Sequence, residues 1–280
     1  MSNKHRPVFD EYAYRKAPSD LEFHFIINEV KYVEDLISNY KLAYDDDIEA
    51  TIAILARYYR GYKKLPKADC ETLILKHISN YYENVIGHEI MNDYSYIDKK
   101  INWACSARRY KNNHGYKAIR DFDGINITQK EIDTIKQLEN IEEQELLFGI
   151  LCFTKMYDET NRRRGRKINH LFYVESSVIR RCIGWKKGTV DKLVKKIGDL
   201  MDKGLLGYIE NRDKYEPILG VRQPFITKKC LIVDEEGDSV LFIDNFDTLG
   251  LTWRYLIGDK SIKKCSCGPC KRERTLPYPA

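Results

Sequence analysis

The stretch that decides the fold is Gly184–Gly204, GWKKGTVDKLVKKIGDLMDKG. A glycine-bounded turn, GWKKG, precedes Thr189, a residue type that favours helix N-caps. The apolar positions that follow are spaced by three, four and three residues, which is the helical period. They are Val190, Leu193, Val194, Ile197 and Leu200. We therefore predict a helix over 189–203 that packs all five on a core and stops at Gly204.

The flanking sequence places this helix in a larger motif. An apolar helix is predicted over Glu143–Asp158, and a short helix begins at Ser176 or Ser177. After Gly204 the pattern becomes strand-like over 205–209, 225–233 and 240–243. Three helices followed by a β-hairpin are the order of a winged helix-turn-helix, whose last helix enters the DNA major groove.

The whole chain is predicted to be mostly α with a small β component. We expect an irregular arm over 1–19 and a helical domain over 20–139. A winged helix-turn-helix domain follows over 140–245. Residues 246–280 then carry a short helix, a cysteine cluster and a basic tail.

The charge is distributed unevenly along the chain, although its net value is only +5. Residues 155–203 contain fourteen Lys or Arg and six Asp or Glu, and residues 260–274 contain six Lys or Arg and one Glu. The remainder is acidic. Basic patches on an acidic body are typical of proteins that bind nucleic acid. We therefore predict double-stranded DNA as the partner.

Two clusters of cations are the candidate DNA contacts. The first surrounds the start of the predicted recognition helix, and the second is a basic loop without an acidic residue. Both are suited to phosphate contacts, which position a protein on DNA without reading its sequence. The predicted contacts are Lys186, Lys187, Lys192, Lys195 and Lys196 in the first cluster, and Arg162, Arg163, Arg164, Arg166 and Lys167 in the second.

The sequence offers little support for other function classes. The longest apolar run, 146–153, is far shorter than the roughly 20 residues of a membrane helix, and the N-terminus lacks a signal-peptide pattern. We expect a cytoplasmic protein of a bacterial host cell. No phosphate-binding loop or catalytic constellation is found, so we expect no enzymatic activity. Ala56–Lys64 interleaves tyrosine with base, and we interpret its tyrosines as core residues.

Several phrases of the sequence carry a resemblance to a known family. They are ILARYYR (54–60), DGINITQKEID (123–133), ELLFGILCFTKMYD (145–158) and DNFDTLGLTWRYL (244–256). In this order, and just before a cysteine cluster, they resemble a family of phage and mobile-element proteins of low-GC Gram-positive bacteria. The winged helix is similar in style to replication initiators and replisome organisers. The resemblance implies DNA binding in replication initiation or transcriptional control, with a phage or host protein as a further partner.

The cysteine cluster departs from the family pattern. Family members carry two cysteine pairs, which implies a zinc ribbon or knuckle, whereas this chain has Cys265, Cys267 and Cys270 and no later ligand. A closed zinc site needs four ligands. The fourth would come from Cys230, from a histidine such as His170, or from another chain. A vestigial cluster of reduced thiols is the alternative to zinc.

An interaction module is the alternative to DNA binding. Winged helices also serve as docking folds, because a fold alone does not determine function. In that case the domain would contact a host macromolecular machine.

Overall fold

The computed structural model describes residues 6–8, 23–43, 47–86, 94–106, 119–172, 176–185, 190–218 and 221–259. The chain divides into two compact units. The first comprises Met1–Ala13 and Asp20–Asp123, and the second comprises Tyr14–Ser19 and Gly124–Ala280. The described part is mostly helical with a smaller β component, as predicted. None of its helices has the length and apolarity to cross a membrane.

Helices dominate the first unit. Strands β1 (Arg6–Val8) and β2 (Phe23–Phe25) pair in parallel, so the arm expected to be irregular contains a strand. The helices are α1 (Glu29–Ser38), α2 (Ile48–Ala56), α3 (Lys67–Tyr81) and α4 (Tyr94–Cys105). Two π-helical segments, Arg57–Tyr62 and Tyr82–Ile86, continue α2 and α3 respectively.

A buried ion cluster connects distant parts of the first unit. The Glu29 carboxylate is fully buried in the first turn of α1, and both of its oxygens accept hydrogen bonds from the Arg57 guanidinium at 3.2 Å. The backbone N–H of Arg120 donates to the same carboxylate at 2.8 Å. The Arg120 side chain also donates to the carbonyl oxygens of Ile26 and Ile27. Two guanidinium groups therefore compensate one buried carboxylate.

The second unit contains five helices and five strands in its described part. Its helices are α5 (Gln129–Lys136), α6 (Ile141–Arg163), α7 (Ser176–Cys182), α8 (Val190–Asp202) and α9 (Leu249–Leu256). Its strands are β3 (Ile125–Thr128), β4 (Leu171–Phe172), β5 (Leu206–Ile218), β6 (Val221–Cys230) and β7 (Ser239–Ile243).

Two antiparallel sheets organise these strands. In the larger sheet the order is β4-β6-β5, so the last strand of the three lies in the middle. The strands predicted over 205–209 and 225–233 overlap β5 and β6, which pair as a hairpin, whereas the strand predicted over 240–243 is β7 and pairs with β3. Gly204, with a φ of +70°, ends α8 as predicted. The smaller sheet pairs β3 with β7, which are more than a hundred residues apart in sequence. Strand β4 pairs with β6 at Lys228 and Lys229, near the end of the β5–β6 hairpin that is far from its turn.

The compact units divide at Asp123 and Gly124, so β3 and α5 belong to the second unit, whereas the sequence-based boundary was placed at residue 139. A capping box starts α5: the Thr128 hydroxyl accepts a hydrogen bond from the Glu131 N–H, and the Glu131 carboxylate accepts one from the Thr128 N–H. The buried Glu131 carboxylate also accepts hydrogen bonds from Lys155 of α6 at 2.7 and 2.8 Å, and one from the Asp234 backbone at 2.8 Å. These contacts and the β3–β7 pairing tie residues 124–139 to the second unit.

Helix α9 is part of the core of the second unit. Trp253 is fully buried, and its indole N–H donates to the Gln144 side chain of α6 at 3.0 Å. Its ring lies 5.2 Å from that of Phe148. A Cβ added to Gly250 would lie 2.2 Å from the carbonyl oxygen of Ile183, so α9 approaches the end of α7 backbone to backbone. The short helix predicted in 246–280 is therefore a structural part of this unit.

Candidate nucleic-acid interface

Helix α8 carries the first candidate cluster and packs on the core through one narrow face. Leu193, Ile197 and Leu200 are buried, as predicted. Val194 is 61% exposed, so the expectation that it packs inward is wrong. The reason is geometric: successive helical residues are about 100° apart, and Val194 lies outside the arc that the three buried residues define. The exposed face of α8 therefore contains an apolar side chain.

Two of the predicted lysines of α8 are engaged by carboxylates at the start of α6. The Lys192 ammonium donates to Glu142 and lies 5.3 Å from the centre of the Trp185 ring. The Lys196 ammonium donates to Glu143 at 2.9 Å. Lys203 donates to the second oxygen of Glu143. Lys192 and Lys196 therefore connect α8 to α6. Because carboxylates compensate their charge, they contribute less free positive charge than the sequence suggests.

The charge of Glu143 depends on these lysines. Burial alone would raise the pKa of its carboxyl, but hydrogen bonds from Lys203 and Lys196 outweigh that effect and hold the pKa below its ordinary value. Glu143 also lies in the first turn of α6, where a negative charge is favoured by the helix dipole. Glu143 is consequently a carboxylate at neutral pH.

Lys195 differs from its neighbours on α8. Its side chain is exposed and, among the residues that the structure describes, makes no ion pair. It lies between Val194 and the lysine that binds Glu143. Lys186 and Lys187, which precede the helix, lie outside the described residues. Lys195 is therefore the free cation of the described part of this cluster.

The second cluster lies at the opposite end of α6 and is part helix, part turn. Arg162 and Arg163 occupy the last helical turn, and Gly165 has a φ of +62°. The backbone N–H of Arg166 donates to the carbonyl oxygen of Asn161 at 2.9 Å and closes the turn. The prediction that these five cations lie in a loop is therefore wrong for Arg162 and Arg163, because α6 continues to Arg163.

Acidic residues outside this segment bind Arg162 and Arg163. Arg162 and Arg163 donate to the two oxygens of Glu159, at 2.6 and 2.7 Å, and Arg162 also lies 3.7 Å from Glu235. These partners precede the cluster by a helical turn or lie beyond β6, so the local sequence does not reveal them. Arg164, Arg166 and Lys167 are exposed. Of these, Arg166 and Lys167 make no ion pair with any described residue.

The two clusters are separated by most of the length of α6. Glu142, which binds Lys192, and Arg162 are twenty residues apart on one helix. At 1.5 Å per residue that is about 30 Å, or about nine base pairs of a duplex. A single duplex can therefore contact both clusters only if it extends over that distance.

A histidine and two carboxylates adjoin the second cluster and were not predicted. The Nδ1 atom of His170 lies 2.9 Å from the buried Asp158 carboxylate, and its Nε2 atom lies 3.9 Å from Glu235. Burial raises the pKa of Asp158, although the hydrogen bond to His170 opposes the rise. His170 has a φ of +55°, and its carbonyl oxygen accepts a hydrogen bond from the Cys230 N–H. Asp158 and His170 are separated by twelve residues and a turn, so the sequence alone did not predict their contact.

The predicted metal ligands Cys265, Cys267 and Cys270 lie outside the described residues. Within the described ranges, no group of three or more His, Cys, Asp or Glu residues could hold a metal ion. Cys230, suggested as a fourth ligand, is fully buried, and burial raises the pKa of its thiol to about 12.

The tyrosines of the segment 56–64 are mainly core residues. Tyr58 and Tyr59 are buried, as predicted, and the Tyr58 hydroxyl donates to Glu34 at 2.8 Å. The Tyr62 ring stacks on that of Tyr58 at 5.8 Å. This segment therefore offers no row of exposed rings.

Comparison with protein-family models, with curated proteins and with solved structures finds no match for this chain.

Proposed function

We propose that residues 141–230 form a winged helix-turn-helix that binds double-stranded DNA, without enzymatic activity. The observation that supports this most strongly is the order of elements: α6, β4, α7, α8, β5, β6. The helix pair followed by a two-stranded hairpin is the arrangement of that motif. The sheet order β4-β6-β5 supports the same assignment. Helix α8 is then the helix that enters the major groove, and the β5–β6 hairpin is the wing.

Free cations at two ends of α6 would supply the attraction to phosphate. In the described residues these are Lys195 on α8, and Arg166 and Lys167 after α6. Lys186 and Lys187 precede α8 in the sequence and are proposed as further contacts. Exposed Val194 adds an apolar group of the kind that contacts a thymine methyl group in the major groove. No Arg, Asn or Gln lies within α8 to form a bidentate base contact, so the proposed sequence preference is modest.

The biological role rests on the resemblance of the sequence to phage and mobile-element proteins. Replication initiation and transcriptional control both require a duplex-binding module. An initiator binds clustered repeats in its own origin, whereas a transcription factor of this type binds a promoter, commonly as a dimer on a palindrome. Footprinting on the DNA that surrounds the gene separates them: clustered repeats support initiation, and a single palindrome supports transcriptional control.

Titration of a random duplex of about 20 base pairs tests the DNA proposal. Because the attraction is to phosphates, affinity should fall at least about tenfold between roughly 50 mM and 200 mM salt. The variant Lys195→Ala should weaken binding, and Lys136→Ala serves as the matched control, because Lys136 is an exposed lysine at the end of α5, outside both clusters. A folded protein that does not bind duplex would exclude the proposal.

A second candidate function is docking on a host or phage protein. The exposed face of α8 favours it, because Val194 is 61% exposed and Asp199 and Asp202 follow on the same helix. Two lysines of α8 are already engaged by α6. If the folded protein fails to bind duplex at low salt, this candidate replaces the first.

A further inference from the structure

A cleft of about 430 Å³ lies in the first unit, between α1 and the π-helical segment Arg57–Tyr62. A volume of this size is typical of sites that bind small molecules. The C-terminal half of α1 lines one side, and the π-helical segment with the residues that follow it lines the other. The lining includes Glu34, Ile37, Ser38, Tyr58, Lys63 and Leu65.

The backbone beside this cleft has an uncommon conformation. Helix α2 continues as a π-helical turn, in which the N–H of Lys63 donates to the carbonyl oxygen of Tyr58, five residues earlier, at 2.8 Å. Such turns are rare and occur frequently at functional sites. Here the turn stacks the ring of Tyr62 on that of Tyr58, and Lys63 follows directly as the C-cap. Two rings and an ammonium group are thereby brought together beside the cleft.

The polar groups of the cleft favour a cation. The Tyr58 hydroxyl donates to the Oε1 atom of Glu34 at 2.8 Å, and burial together with this bond raises the pKa of Tyr58, so the phenol stays neutral. The Oε2 atom of Glu34 accepts no hydrogen bond from a residue that the structure describes. Helix α1 ends at Ser38 without a basic residue in its last turn, so the negative end of its dipole adds to the charge of this carboxylate.

Lys63 shows which ligand this arrangement accommodates. Its ammonium lies 3.8 Å from the Oε1 atom of Glu34, 5.2 Å from the centre of the Tyr58 ring and 5.4 Å from that of Tyr62. Proteins recognise organic cations with ring faces of this kind. The side chains of Lys63 and Glu34 are 45% and 49% exposed, and ion pairs at such exposure stabilise a fold little. A ligand ammonium can therefore take the place of the Lys63 ammonium.

The remainder of the lining is mostly apolar, with Ile37 on α1 and Leu65 after the π-helical turn. A ligand therefore needs an apolar body beside its charge. We infer that this cleft binds a small organic amine, whose ammonium group pairs with Glu34 and whose apolar body lies against Ile37 and Leu65. An anionic ligand would meet the Glu34 carboxylate. This inference goes beyond the proposed duplex binding, which uses residues of the second unit, and the two activities can fail independently.

A ligand-observed NMR titration of the full-length protein tests the inference. The probe is phenethylammonium, and 2-phenylethanol is its neutral counterpart, because the two share a ring and an ethyl chain and differ in the charged group. We expect phenethylammonium to bind with a Kd on the order of 1 mM, as for a ligand of about nine non-hydrogen atoms. The alcohol should bind at least about fivefold more weakly.

Two variants should change the affinity for the amine in opposite directions. Glu34→Gln removes the charge and keeps the shape, so the amine should bind no more tightly than the alcohol. Lys63→Ala removes the ammonium that competes for Glu34, so the affinity for the amine should rise about threefold while that for the alcohol changes less than about twofold. Glu83→Gln and Lys76→Ala are the matched controls, because both residues are exposed in the first unit and lie outside the cleft lining. Neither control should change the Kd of the amine.

Three results would overturn the inference. The first is a folded wild-type protein that does not bind the amine at about 10 mM, or that binds the amine and the alcohol equally. The second is weaker binding of the amine by Lys63→Ala, which would assign the cleft to an anion. The third is binding of N-acetyl-lysine amide at least about tenfold more tightly than phenethylammonium, which would assign the cleft to a lysine side chain of a protein partner.

Discussion

At the scale of single residues, the fold depends on a few positions where no substitute is neutral. Gly250 is one, because the carbonyl oxygen of Ile183 occupies the space that a side chain would need. Glu29 is another, because its buried carboxylate is matched by Arg57 and Arg120. Neither role is visible in the local sequence.

Gly250→Ala should destabilise the second unit, because its Cβ would meet backbone that cannot move aside. We expect a loss of about 1–3 kcal/mol, as for other overpacked sites, in urea denaturation followed by circular dichroism. Gly198→Ala is the control, for which we expect the free energy of unfolding to change in the opposite direction. No atom lies within 4 Å of its added Cβ inside α8, so the better helix propensity of alanine should stabilise by up to about 1 kcal/mol. Equal effects of the two variants would contradict the packing of α9 described above.

Glu29→Gln should destabilise the first unit by about 3–5 kcal/mol, because it leaves two buried guanidinium groups without their carboxylate. The control is Glu83→Gln, an exposed residue of the same unit, for which we expect a change within about 0.5 kcal/mol. Denaturant unfolding of both variants measures the difference. A small loss for Glu29→Gln would mean that water or other groups already compensate the arginines.

At the scale of elements, the sequence predicted where helices lie better than which distant segments they and the strands contact. The stop of α8 at Gly204 depends on local sequence, so it was predicted correctly. The β3–β7 pair joins segments a hundred residues apart and leaves no local signal. The same holds for Lys192 and Lys196, whose carboxylate partners on α6 lie about fifty residues earlier. Periodicity identifies the apolar face of a helix but does not show how much of that face other elements cover. For this reason Val194 was predicted to be buried although it is exposed.

The contact between α6 and α8 should depend on pH. The folded-state pKa of Glu143 is lowered, so its interaction with Lys203 and Lys196 stabilises the fold above the unfolded pKa and is lost as pH falls through the folded one. Melting temperatures measured from about pH 7 down to about pH 3 should fall less steeply for Glu143→Gln than for wild type. Parallel pH profiles for the two proteins would show that this carboxylate is not paired in solution.

The lysines of α8 should contribute unequally to duplex binding. Lys195 makes no ion pair with a described residue, whereas Lys192 is held by Glu142 and would have to leave it to reach a phosphate. We expect Lys195→Ala to weaken duplex binding more than Lys192→Ala does, by several-fold at about 100 mM salt. A reversed order would place the DNA on the side of α8 that faces α6.

At the scale of the whole molecule, the chain divides into two compact units, and duplex binding is proposed for the second one alone, through α8 and the end of α6. The charge pattern of the sequence predicted basic patches, but the structure is needed to tell free cations from those that carboxylates already bind.

The most direct test of the central claim is the salt dependence of duplex affinity, compared between wild type and a Lys195→Ala, Arg166→Ala, Lys167→Ala variant. Each phosphate contact contributes about 0.9 to the slope of log K against log salt. We expect the wild type to bind a duplex of about 20 base pairs with a steep negative slope, and the variant's slope to be less negative by about 2–3. An unchanged slope, or a folded wild type that binds no duplex, would contradict the proposed duplex binding.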